Sequence, residues 1–312
     1  MSFDLTIAGH FCIDTIYLPN RQKPYTILGG SAAYVSLSAR RLGANVSVIS
    51  KVGGDFPKAY LWWLSQEGIN LASVHIIEHE KTTKFELQYN SDLSTRILRL
   101  ANKAPLITVE DLPNRLEAKA AHLAPIAGEI QYDVAERLKQ SVKVLSLDVQ
   151  GLVRAFNEKG VAANKPLEDK RILEMVNIYK SSSEELKAAT GMSDLKMAIK
   201  TVHDFGVEAV IVTMGAKGAV LSIDEAEYEV PAYPPNRLVD PTGAGDAFIG
   251  GFLAEYVRDK EAFWCACVGS ATASTVVEGV GPTLIGYRDE ILRRAKLLYE
   301  KGIKHQTHFN SG

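Results

Sequence analysis

Cysteine is scarce in this chain: Cys12, Cys265 and Cys267 are the whole supply. Three thiols cannot all pair, which excludes a disulfide-stapled scaffold and fits a reducing, cytoplasmic setting with each thiol buried as a small apolar group. An excess of positive charge is also missing. With 35 basic and 37 acidic residues the formal net charge is -2, so the footprint of a nucleic-acid binder is absent and a small ligand is expected instead. The longest uncharged run, AFWCACVGSATASTVV, has 16 residues and is rich in Ser, Thr and Ala. It is too short to span a bilayer and is expected as a helix buried in protein. The first residues lack the layout of a secretory signal, and the chain has no repeat, low-complexity tract or Pro/Gly-rich linker. Two nucleotide signatures are absent as well. No GxxxxGK[ST] loop occurs, and GAGDAF is not a dinucleotide fingerprint because Phe248 stands where the third glycine belongs.

What remains is ample material for a core. The 312 residues are 46% hydrophobic and 23% charged, ordinary for a globular α/β protein. Short β-branched runs, LTIAG, VSVISKV, VKVLSLD and AVIVTM, alternate with helical patterns such as SAAYVSLSARRLG, closed by Gly43, and YDVAERLKQS. That order predicts a doubly wound, mostly parallel sheet flanked by helices. Two stretches break the alternation, TIYLPNRQKPYTI and HEKTTKFELQYNSDLSTRILRL, the second with a turn at Asn90, Ser91 and Asp92. They predict a small antiparallel β lid, drawn from about residues 11–30 and 75–100, on a single unit spanning 1–312. Such a lid suits the carboxyl edge of an open α/β sheet, where ligands bind. Its exposed edges leave both a monomer and a lid-mediated homodimer open.

The chemistry concentrates in DPTGAGDAFIGGF. At Gly243, Ala244 and Gly245 the lack of bulk lets backbone amides converge on a bound group, and the helix that follows favours negative charge at its start. Asp246 falls in the first turn, where the dipole should keep it ionised to accept a hydroxyl proton while the amides stabilise a transferring phosphoryl group. The competing reading is a glycine-rich helix start packed closely on a neighbouring strand. Upstream, EAVIVTMGAKG is an apolar strand ending in Thr213, Gly215 and Gly218, either a turn beneath a nucleotide's phosphates or a hairpin turn into AVLSI.

With LGGSAAYVSLSARRLG and SSSE at 181–184, these motifs resemble the PfkB (ribokinase-like) family of carbohydrate and nucleoside kinases, from Leu5 to about residue 290. LGGSAAY, SKVGGDF, TTKFE, LDVQGLVRAF and DPTGAGDAFIGGF are most similar to the inositol 3-kinases of plants and archaea. The resemblance implies a ribokinase-like fold and transfer of the γ-phosphoryl group of ATP to a hydroxyl of myo-inositol, with another sugar, sugar acid or nucleoside as the alternative acceptor. It makes Asp246 the base and Gly243, Ala244 and Gly245 the anion hole. Thr213, Gly215, Gly218 and Ser181 would meet the nucleotide, Glu184 would organise water-coordinated Mg²⁺, and Asp240 would help hold a monovalent cation such as K⁺.

For the acceptor, Asp14 lies just beyond the first strand, where a carboxylate can take two hydroxyl hydrogens or equally cap a turn. Gly29 and Gly30 offer close backbone approach, and Gln150 and Arg154 follow the LSLD strand; the resemblance puts all five in the substrate pocket. Arg154 also suits a phosphate or carboxylate. Two departures stand out: Tyr34 replaces the usual asparagine after the paired glycines, and Ser181 replaces the asparagine of NxxE.

A rival chemistry is spelled by His75, Glu78 and His79, the HxxEH zinc-protease pattern, which needs one helical face. Its β-branched surroundings predict a strand instead. His10 is expected to be a hydrogen-bonded strand-end residue, His305 and His308 to lie in a polar tail, and Trp62 and Trp63 to belong to a packing helix.

Overall fold

The computed structural model describes residues 2–306 other than 225. A ten-stranded sheet runs in the spatial order Ile303–Gln306, Ala226–Val230, Ala219–Ile223, Ala209–Thr213, Ile178–Ser182, Val144–Asp148, Ala118–Leu123, Phe3–Ala8, Val46–Gly53 and Ile69–Ile77. From Ala209–Thr213 to Ile69–Ile77 every neighbouring pair is parallel, and the remaining edge is antiparallel. The first strand sits inside the sheet, and successive strands are added on either side of it. That reversal opens a crevice at the carboxyl ends of the strands, the place where ligands bind in open α/β sheets.

Both faces are covered. One apolar layer packs the helices Ser31–Arg41, Ala244–Tyr256 and Ala262–Val276 on the sheet, and a second packs Tyr132–Lys139, Ser183–Thr190 and Leu195–His203 on the opposite side. The sheet is therefore wet on neither face, and its strands are apolar almost throughout, as Leu5, Ile7 and Ala8 show with no exposed surface. The uncharged run forms the buried helix Ala262–Val276. No described helix is long and apolar enough to cross a membrane. Gly43, at φ 83°, ends the first helix in the left-handed conformation that its Cβ-free backbone permits.

The central strands Ala118–Leu123 and Ile178–Ser182, AKAAHL and IYKSS, are absent from the sequence prediction. Alanine, lysine and serine carry little strand preference, and here the tertiary setting overrides it. Polar residues inside the sheet pair sideways: Thr6 with Ser47 at 2.7 Å, His122 with Ser146 at 3.0 Å and Lys180 with Asp148 at 2.7 Å.

The lid has the strand order Tyr25–Gly29, Cys12–Tyr17, Thr83–Tyr89 and Arg96–Asn102. Its outer pairs are antiparallel, and the two hairpin halves join through a parallel pair in the middle. The turn after Tyr89 is held by Asn90 and Asp92, whose side chains accept from Thr95 and Ser94 amides. Residues 75–77 belong to the main sheet, so the lid's second half begins at Thr83. His75 therefore lies in a strand, bonded to Asp111 O at 3.2 Å, and no group of three His, Cys, Asp or Glu able to hold a metal occurs among the described residues. Trp62 is 66% exposed, unlike the packed Trp63 beside it. The expected tail is partly strand: His305 lies in the sheet's edge, and His308 is outside the described residues.

Candidate active site

Gly243 takes φ 79°, left-handed, and turns the chain into the helix Ala244–Tyr256. The first amides of a helix have no partner within it and point toward solvent or ligand. Ala244 N–H makes a long 3.3 Å bond to Pro241 O, so that amide is not wholly free. Tyr34 explains the glycine: a Cβ on Gly243 would stand 2.3 Å from its ring.

Asp246 sits in the first helical turn and faces a cavity beneath the lid. Its Oδ1 accepts from Ser31 Oγ and, at 2.8 Å, from Gln150 Nε2. Among the described residues nothing bonds to Oδ2. Burial raises the pKa of this carboxylate, and the Lys180 ammonium is the largest opposing influence.

The acceptor-side residues converge on the same cavity. Asp14, Gly30, Gln150 and Arg154 line it together with Asp246. Asp14 is 4% exposed, and burial lifts its pKa to about 6 against a lowering by the Cys12 thiol, which donates to it at 3.1 Å. Cys12 is thus buried like Cys265 and Cys267, but at the cavity wall. Gly29 is not in the cavity lining, and a Cβ there would stand 2.0 Å from the Asp14 carboxylate. Arg154 donates to Gln150 Oε1 at 2.5 Å and to Ile126 O at 3.2 Å. His10 is buried off the cavity, bonded to Thr83 and Pro105 as expected.

The nucleotide-side residues form a separate group. Thr213 ends its strand, and Gly215, at φ 59°, and Gly218, at φ 91°, shape a hairpin into Ala219–Ile223. Gly215 has open space around it, whereas a Cβ on Gly218 would meet Val230 O at 2.1 Å. The hairpin lies at the carboxyl edge of the parallel strands, and Thr213 Oγ1 donates to Ser181 O at 3.3 Å.

The two acidic residues of SSSEEL face different ways. Glu184 is exposed, and Ser181 is buried with an unpartnered hydroxyl. Ser182 caps the helix Ser183–Thr190 and Glu185 closes the capping box, with its other oxygen 3.9 Å from Arg154. Helical spacing turns position 185 inward, toward Arg154, and 184 out.

Asp240 Oδ1 accepts from Thr242 Oγ1 at 2.5 Å, while Oδ2 is buried with no partner. Thr242 in turn meets Tyr89 Oη at 2.8 Å, and Arg96 donates to that hydroxyl at 2.8 Å, which ties the lid to the glycine turn. Ser31, Arg96, Asp148, Lys180 and Glu185 were not singled out in the sequence. Only the Asp148 ending of LSLD and the lysine before SSSE gave any signal, since a charge in an apolar strand end needs a reason.

Residues 4–286 match the family described as "pfkB family carbohydrate kinase". The chain belongs to that family. It is 35% identical to a cytidine kinase of Thermococcus kodakarensis over 89% of this chain and 97% of that protein. It is 30% identical to an inositol 3-kinase of Oryza sativa over 97% of this chain and 75% of the relative. Among solved structures, a sulfate complex of a pyrophosphate-dependent kinase in the ribokinase family superposes with TM-score 0.79 at 26% identity, covering 92% of this chain and 99% of the other. The pfkB assignment brings the ribokinase-like sheet, its lid and kinase chemistry into one account.

Proposed function

We propose that this pfkB kinase transfers the γ-phosphoryl group of ATP to a hydroxyl of myo-inositol. The supporting observation is that a single cavity brings Asp246 together with Asp14, Gln150 and Arg154. A ring carrying hydroxyls on every carbon can use donors and acceptors on several sides at once. Tyr34 adds one more, a buried hydroxyl without a partner at the cavity wall.

In this reading Oδ2 of Asp246 takes the acceptor's hydroxyl proton, its Oδ1 being held by Ser31 and Gln150. The acceptor oxygen bonds to the γ-phosphorus as the bond to the diphosphate breaks, and ADP leaves with the electron pair. The amides at Gly243–Gly245 hold the charge on the moving group. Thr213, Gly215 and Gly218 support the nucleotide. Mg²⁺, bound with the phosphates, would be held through water by Glu185, which is half-buried and turned toward Arg154; when bound it draws charge from the β- and γ-phosphates. Asp240, whose Oδ2 is an orphaned buried oxygen, fits a monovalent cation. Three free, buried cysteines accord with a cytoplasmic setting.

Cytidine is the second reading. The Thermococcus kodakarensis relative favours it, as does the apolar wall of Phe85, Leu87 and Leu98, against which a base could pack. A screen with myo-inositol, cytidine, ribose, fructose and 2-keto-3-deoxygluconate separates the two, reading ADP release when ATP is the donor and orthophosphate release when pyrophosphate is. The expected result is a preference for myo-inositol and ATP. A higher kcat/KM with cytidine replaces the acceptor and leaves the reaction standing.

A further inference from the structure

Lys180 is a cation inside a parallel sheet. It is 4% exposed, and its Nζ donates to Asp148 Oδ2 at 2.7 Å, directly across the register of Ile178–Ser182 and Val144–Asp148. Buried ion pairs seldom stabilise a fold more than apolar residues of the same size, because desolvation offsets the attraction. Packing therefore gives no reason for this pair, and its position does. A Cβ on Gly245 would stand 2.7 Å from Lys180 Nζ and 3.6 Å from its Cε, so the ammonium occupies the space a side chain at 245 would fill. An ammonium has three N–H donors, and Asp148 is the only hydrogen-bond acceptor it meets among the described residues.

We propose that Lys180 is a catalytic residue whose ammonium contacts the phosphoryl group as it passes over Gly243–Gly245, with Asp148 as the residue that positions it. This rests on reading that turn as the phosphoryl cradle. As the new oxygen–phosphorus bond forms and the old one breaks toward the diphosphate, charge stays on the three equatorial oxygens. A fixed cation in a water-poor site stabilises it without reorganising. The same ammonium opposes the burial that disfavours the Asp246 carboxylate. Gly245 lacks a side chain, on this account, so that the ammonium can reach the cradle.

The charged and titratable groups facing Asp246 are Lys180 and Arg154, with Asp148, Asp14, Cys12 and Tyr34 on the acidic side. Lys180→Met removes the cation with the larger influence on Asp246. With ATP and the best acceptor, kcat is expected to fall about a hundredfold or more, the loss typical of a missing charge-stabilising donor. The acid limb of the kcat/KM profile should move to higher pH, while acceptor KM changes little. Because Lys180→Met strands Asp148, Lys180→Met/Asp148→Asn is the second arm, with thermal unfolding checking its fold. Lys180→Arg keeps the charge in a planar group: its acid limb should stay in place and its kcat should still drop. Gly245→Ala pushes the ammonium aside, so its loss and that of Lys180→Met should be non-additive.

A folded Lys180→Met or double variant with unchanged kcat and acid limb overturns the proposal. If neither folds, wild-type kcat in Lys180→Arg overturns it. Asp246→Asn serves as the control. Turnover lost there but kept without Lys180 refutes the lysine's role alone, and turnover kept in both refutes the phosphoryl cradle.

Discussion

The proposed acceptor and donor halves of the cleft are built from different materials. On the acceptor side, Asp14, Ser31, Gln150, Arg154 and Asp246 are side chains that hold one another by hydrogen bonds or burial. On the donor side, the hairpin at Gly215–Lys217 is exposed and offers chiefly backbone. Side chains can be exchanged one at a time and so can discriminate among acceptors. Backbone amides recognise a phosphate whatever residues surround it, and the demand there falls on conformation.

The sharpest way to break this contrast is Asp246→Asn. Turnover is expected to fall by about a hundred- to ten-thousandfold, the range for removing a general base, with ATP binding retained by calorimetry. Full activity would remove the acceptor half's central member.

Asp14→Asn comes next and joins two effects. Acceptor KM should rise about tenfold or more, the cost of one missing charged hydrogen-bond partner. Stability should move the other way. Burial raises the folded pKa, so the native state holds its proton more tightly than the unfolded chain, and stability falls as pH rises from 3.8 toward about 6. Above that window the variant, which has no charge to bury, should be more stable by about 1–3 kcal/mol, at roughly 1.4 kcal/mol per pKa unit. Urea unfolding at pH 4 and pH 8 checks the sign: the gain should vanish at the lower pH.

The smallest effects belong to the donor half and divide it. Gly218→Ala must place a Cβ against Val230 O at a φ of 91°, and a loss of about 1–3 kcal/mol is expected from strain. Gly215→Ala has open space and a φ of 59°, so it should cost about 1 kcal/mol. Equal losses in thermal unfolding would mean that the positive φ both glycines share, and not the contact with Val230, sets these positions.

The outline of this contrast is visible in the chain itself. DPTGAGD announces a backbone-lined helix start because glycine has few other uses there, and the lid shows as β-rich arms around Asn90 to Asp92. The supporting charges are hidden. Lys180 and Asp148 meet only because two strands distant in sequence lie side by side, and no local pattern encodes that adjacency. Glu184 and Glu185 differ only in helical phase, which is set once Ser182 is fixed as the cap. Gly29 looks like a ligand contact in the sequence, and its reason appears only when Asp14 is seen against it.

Asp14 lies on the lid strand Cys12–Tyr17, not on the sheet below. A strand cannot swing without carrying its own residues. Any hinge that raised this cover would lift its recognition carboxylate away with it, so grasping the acceptor and shutting out solvent would become one mechanical act.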